Sequence, residues 1–147
     1  MIFRTNTSSE YVYHPINALH LIKRIAQWMP KMKEIIPNLF FQYDFQSLLD
    51  EYTRALHGIA DLVEYHDLDY NEIAKGKIKD ILNNKTYLSK SPLSCEELLK
   101  IAHEAKLVNY MDGYVNWLIA ALKKAKMENR NKILIKKIRY LLLCKKS

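Results

Sequence analysis

The chain has 147 residues, about half of them apolar, and carries 23 lysines and arginines against 16 acids, for a net charge of +7. That length allows one domain, or one and a piece of a second, with enough apolar surface for a true core. Three glycines and four prolines exclude a collagen-like or low-complexity chain and favour helices, and no apolar run is long enough to span a membrane.

Residues 1–13 are polar and read as a flexible start. Met1 to Asn6 has no apolar leader stretch, so the chain as written is expected in the cytosol. Asn6-Thr7-Ser8 and Asn84-Lys85-Thr86 are glycosylation sequons, which matter only in the secretory pathway.

The first helix starts at His14-Pro15. Proline suits a first helical position because its φ is preset and it has no N–H to orphan. Ala18, Ile22, Ile25, Met29, Met32 and Ile36 then alternate at steps of four and three, the spacing of a seam that buries one stripe. Pro30 predicts a kink or break near Met29, and Pro37 ends the helix. Asn38 to Tyr43 reads as an aromatic connector, with Asp44 as the next cap. The second helix repeats the pattern at Phe45, Leu49, Tyr52, Leu56, Ile59 and Val63. Two such helices joined by a short connector predict an antiparallel hairpin, with Ile25 and Leu56 inside.

Asp69 with Glu72 resembles a capping box for a short helix ending near Gly76. Residues 77–92 read as a linker with a helical start around Ile78 to Leu82. At 93–147 a new unit begins, with Ser94 and Glu97 as a capping box and Leu93 and Leu98 as a hydrophobic staple. Three helices follow, ending near Lys106, Lys126 and Leu143. Tyr114, Leu118, Ala121, Leu122 and Ala125 share a face, as do Leu134, Ile138, Leu141 and Leu142. Small Ala102 and Ala121 permit close crossing, as in tetratricopeptide repeats. The fold class expected is therefore all-α, a helical hairpin followed by a tetratricopeptide-like unit.

Three stretches, in this order, resemble the α subunit of collagen prolyl 4-hydroxylase. The first is His14-Pro15-Ile16-Asn17-Ala18 before a basic amphipathic helix. The second is Leu68-Asp69 followed by Ile73-Ala74-Lys75-Gly76. The third is Leu93-Ser94-Cys95-Glu96-Glu97 leading to Trp117 and Ala121-Leu122, similar to the opening of the family's peptide-substrate-binding domain. The resemblance implies residence in the endoplasmic reticulum, with hydroxylase subunits or proline-rich, collagen-like chains as partners. Family enzymes use Fe(II), 2-oxoglutarate and ascorbate, with a later domain supplying His-x-Asp and a distant His. No catalytic or metal residue is expected here. His14, His20, His57, His66 and His103 are followed two positions on by Ile16, Ile22, Ile59, Leu68 and Ala105.

The family's peptide groove is lined by tyrosines, whose flat faces accept the rings of a pre-extended polyproline chain. Laid onto this chain, those positions fall on Lys106, on Arg139-Tyr140 and on Leu143. Only Tyr140 keeps its type, so these four are the candidate peptide-binding residues. The expected function is a non-catalytic helical interaction protein, a truncated paralogue or gene fragment. The alternatives are a piece of a full dioxygenase, or a small basic protein binding nucleic acid through the lysine-rich last helix. Cys95 and Cys144 fit no metal spacing and read as partly buried free thiols.

Overall fold

A computed structural model describes residues 13–37 and 45–144. In chain order the elements are α1 (Pro15–Ile35), α2 (Phe45–His66), α3 (Tyr70–Ala74), β1 (Lys77–Asp80), β2 (Lys85–Leu88), α4 (Cys95–Leu107), α5 (Met111–Met127) and α6 (Lys132–Leu143). Among the described residues the architecture is helical apart from one two-stranded antiparallel ribbon. Each helix from α2 onward packs on a neighbour, most extensively α4 on α5, and α1 packs on α2.

Local chemistry explains most boundaries. His14 caps α1, its ring Nδ1 accepting the Ile16 N–H at 3.3 Å. Asp69 caps α3 by accepting from the Asn71 and Glu72 N–H groups, while Glu72 turns away to pair with Lys75. Ser94 and Glu97 form the full reciprocal capping box that starts α4. Asn131 caps α6 through the Ile133 N–H. The expected connector from Asn38 to Tyr43 and the Asp44 cap lie outside the described residues.

One core joins the front of the chain to the rear. Ile16 and Leu19 of α1, Leu56, Ile59 and Val63 of α2 and Ile73 of α3 belong to the same buried cluster as Leu98, Trp117 and Ile138. Each large apolar side chain buried this way contributes roughly 1.5–3 kcal/mol. Tyr70 meets Trp117 edge-on with ring centroids 5.1 Å apart, tying α3 to α5. Ala102 and Ala121 are fully buried where α4 and α5 pack.

Three expectations need correction. The stretch 77–92, read as a linker with a helical start over Ile78 to Leu82, holds the β-ribbon instead. Lys77 pairs with Leu88 and Asp80 with Lys85. The Asp80 carboxylate accepts from the Leu82 and Asn83 N–H groups, and Asn84 takes φ +47°, so the turn is built by Asx chemistry. Gly76 enters the ribbon at φ +84°, and a Cβ there would collide with the Ser89 side chain.

The α1 seam is the second correction. Its buried residues are Ile16, Asn17, Leu19 and Ala26, all before Pro30, whereas Ile25 is 42% exposed. Periodicity tells which residues share a face but not which of two adjacent faces meets the partner. The α2 seam holds from Tyr52 onward, but Leu49 is exposed. The helix also runs through Pro30 without a break. Third, Cys95 is buried and free but Cys144 is exposed, because α6 turns only Ile138 fully inward.

Candidate functional site

The first conspicuous polar cluster surrounds Glu97, which is 2% exposed. The Lys23 ammonium donates to its Oε1 at 2.8 Å, His20 Nε2 lies 3.2 Å from Oε2, and the Ser94 N–H donates to Oε2 at 2.8 Å. Burial alone would raise the pKa of this carboxyl. The hydrogen bonds from His20, Lys23 and Ser94 outweigh it and hold the group at about 2. His20 Nδ1 also meets Ser91 Oγ at 3.1 Å, and Asn17 Oδ1 accepts the Lys90 N–H at 2.9 Å. The polar residues of His14-Pro15-Ile16-Asn17-Ala18 and the next turn thus fasten α1 to the segment before α4 and to α4 itself. His14 is buried as well, and that burial lowers its pKa against the opposing pull of the Tyr87 and Gly76 backbone. These contacts are structural, and they explain why histidine and asparagine occupy this helix start.

The outer face of α4 carries a groove. On one side, against α2, lies a cavity of about 480 Å³ whose lining includes Tyr52, Leu99, Lys100 and His103. On the other side, between α4 and α6 with α5 as floor, lies one of about 260 Å³. Leu99 and His103 line both. The two sides are built alike. The Lys100 ammonium sits 5.1 Å from the Tyr52 ring centroid, and the Lys106 ammonium 5.4 Å from that of Tyr114. Tyr52 Oη is buried without a hydrogen-bond partner, and burial near Glu97 and Glu96 pushes its pKa up to about 12.

The four residues expected from sequence separate here. Lys106 lines the α4–α6 cavity. Arg139, Tyr140 and Leu143 lie on α6 outside that lining, with Tyr140 67% and Leu143 64% exposed. The structure therefore does not bring all four together. In their place the groove gathers Tyr52, Lys100, His103, Tyr114 and Lys137. The signal for the α4 members was legible, since Leu99, Lys100, His103 and Lys106 recur at helical spacing on one face.

A second surface is apolar. Ile25 and Met32 of the expected seam, with Trp28 and Ile35 beside them at steps of three and four, are all exposed, Trp28 by 66% and Ile35 by 73%. Scattered apolar residues on a surface are ordinary, whereas these four share one stripe along a single helix.

Among the described residues, no three His, Cys, Asp or Glu side chains converge in a way that could hold a metal ion. No described helix is long and apolar enough to cross a membrane. A model of the family described as "Prolyl 4-Hydroxylase alpha-subunit, N-terminal region" matches residues 4–80, just over half of the chain. The chain belongs to the prolyl 4-hydroxylase α-subunit family. The matched segment takes in α1, α2, α3 and β1, so the His14 helix cap, the exposed α1 stripe and Tyr52 lie within the family region, while the α4 residues that line the groove lie beyond it. Lys106, Arg139, Tyr140 and Leu143 lie beyond it. No curated protein and no solved structure matches the chain.

Proposed function

We propose that this member of the prolyl 4-hydroxylase α-subunit family is a helical interaction protein with no chemistry of its own, which associates with α subunits of the hydroxylase in the endoplasmic reticulum lumen. The exposed α1 stripe carries the reading. Ile25, Trp28, Met32 and Ile35 have the spacing of a helix-to-helix seam, and the body of the fold leaves them open. The rest of α1 is anchored through Ile16, Leu19 and the Glu97 contacts, so the stripe is presented on a supported helix. Pre-organisation of that kind lowers the ordering cost of association. Fe(II), 2-oxoglutarate and ascorbate would then serve the partner subunit.

Sedimentation velocity of the purified chain, alone and mixed with a hydroxylase α subunit, tests the proposal. A complex is expected that is lost when Trp28 and Ile35 are both changed to Lys, with helical circular dichroism unchanged. A chain that stays monomeric and leaves the α subunit's sedimentation unchanged at every concentration would refute it. So would succinate production by the highly purified chain alone with Fe(II), 2-oxoglutarate and a Pro-Pro-Gly peptide.

A further inference from the structure

The cleft between α4 and α6 has an unbalanced charge. Lys106 enters it from the end of α4, Lys137 from the middle of α6 and His103 from the α4 face between them. No carboxylate lines it. Neither Lys106 nor Lys137 is in an ion pair among the described residues, although Glu72, Glu97 and Glu128 each hold a lysine or arginine elsewhere. Lys106 is steered inward by the ring of Tyr114, which is itself almost wholly buried. The floor beneath these cations is apolar, made of Leu118, Ile138 and Leu141.

Two unpaired ammonium groups over an apolar floor fit a guest with carboxylates at its edge and an aliphatic side chain between them. At about 260 Å³ the cleft is at the small end of ligand pockets, large enough for a few side chains and not for a folded element. Leu99 and His103 also border the Tyr52 cavity, but Glu96 and Glu104 line that side, so an acidic guest would be confined to the cleft between α4 and α6. We propose that this cleft binds an extended acidic segment of a partner protein, with Asp or Glu on Lys106 and Lys137 and a leucine-sized side chain on the Leu118–Ile138 floor. The site is separate from the α1 stripe, so it stands or falls apart from the association proposed above.

The probe is a fluorescein-labelled Glu-Asp-Leu-Glu-Asp-Leu peptide, followed by anisotropy on the full chain. Saturable binding is expected, weakened at least tenfold in Lys106→Glu with Lys137→Glu. The same double variant should gain affinity for a Lys-Lys-Leu-Lys-Lys-Leu peptide. Lys126→Glu with Lys132→Glu changes the net charge equally at exposed sites outside the cleft, and it should leave acidic-peptide binding within twofold. Thermal melting checks that all variants fold. Equal losses in the two double variants would overturn the proposal in favour of diffuse attraction to a basic surface. Absence of saturable binding to the parent chain would also overturn it. So would tighter binding of an RNA oligonucleotide that is lost in Lys106→Glu with Lys137→Glu.

Discussion

Replacing Glu97 by Gln tests the junction on which the fold turns. The carboxyl is held at about 2 in the folded chain against an ordinary 4.5, and that difference corresponds to roughly 3 kcal/mol of folding stability above pH 4.5. The sign follows from the depressed value: the contribution is present above the unfolded pKa and drains away as pH falls from 4.5 toward 2. Glutamine keeps one acceptor for the Ser94 N–H but removes the charge that Lys23 and His20 meet. Lys23 is a quarter exposed and can turn its ammonium to water, so the net loss is expected at about 2–3 kcal/mol, below the cost of stranding a fully buried partner. For a chain of this size that lowers the melting temperature by roughly 4–12 °C. Urea unfolding at pH 7 measures the loss, and a pH series of melts measures its origin. The parent should lose stability steeply between pH 4.5 and 2, and Glu97→Gln should lose less over that interval. A variant within about 0.5 kcal/mol of the parent at pH 7, with an unchanged acid limb, would refute the account of Glu97 as a charged anchor.

Leu56→Asp puts a carboxylate into the shared core and should unfold the chain, whereas Ile25→Asp lies on the open stripe and should leave the circular dichroism melt nearly unchanged; comparable unfolding by both would place Ile25 inside after all. Gly76→Ala forces a left-handed backbone on a residue with a Cβ, costing about 1–2 kcal/mol, and adds the Ser89 collision, so a lower urea midpoint is expected and a neutral result would mean that the ribbon entry is loose. Poly-L-proline should bind weakly, at least tenfold below an intact tyrosine-lined groove, because each lost aromatic contact is worth on the order of 1 kcal/mol; titration followed by intrinsic fluorescence checks this, and tight binding abolished by Tyr140→Ala would contradict it. Asn84 stands at the exposed ribbon turn, so the chain expressed through the lumen should carry a glycan that Asn84→Gln reduces, read as a shift in electrophoretic mobility; identical mobility of the parent and Asn84→Gln would mean that the sequon at this turn is not accessible.

The helices were legible in the sequence because their signals are local. Pro15 suits a helix start because its φ is preset and it has no N–H to orphan, and Asp69 and Ser94 cap through hydrogen bonds to backbone groups two or three residues away. The family was legible for a related reason: His14 to Ala18 and Leu68 to Gly76 are short ordered motifs that lie within the matched residues 4–80. The ribbon could also have been read, since Lys77-Ile78-Lys79-Asp80 and Lys85-Thr86-Tyr87-Leu88 alternate around Asn83-Asn84. Their charge and the lack of glycine made them resemble a linker.

What only the tertiary structure decided depends on contacts between distant residues. The seam of α1 has two adjacent readings by periodicity, and docking on α2 selects Ile16 and Leu19 while leaving Ile25 and Trp28 outside. Glu97 reads as an ordinary capping residue, and its role as an anchor comes from Lys23, 74 positions earlier. The groove follows the same rule. Lys106 and Lys137 are unremarkable lysines on separate helices, and the packing of α4, α5 and α6 over Leu118 and Ile138 turns them toward one cleft. Sequence spacing sets which side chains share a helix face, while burial of apolar area across helices determines which faces meet and which stay open to a partner.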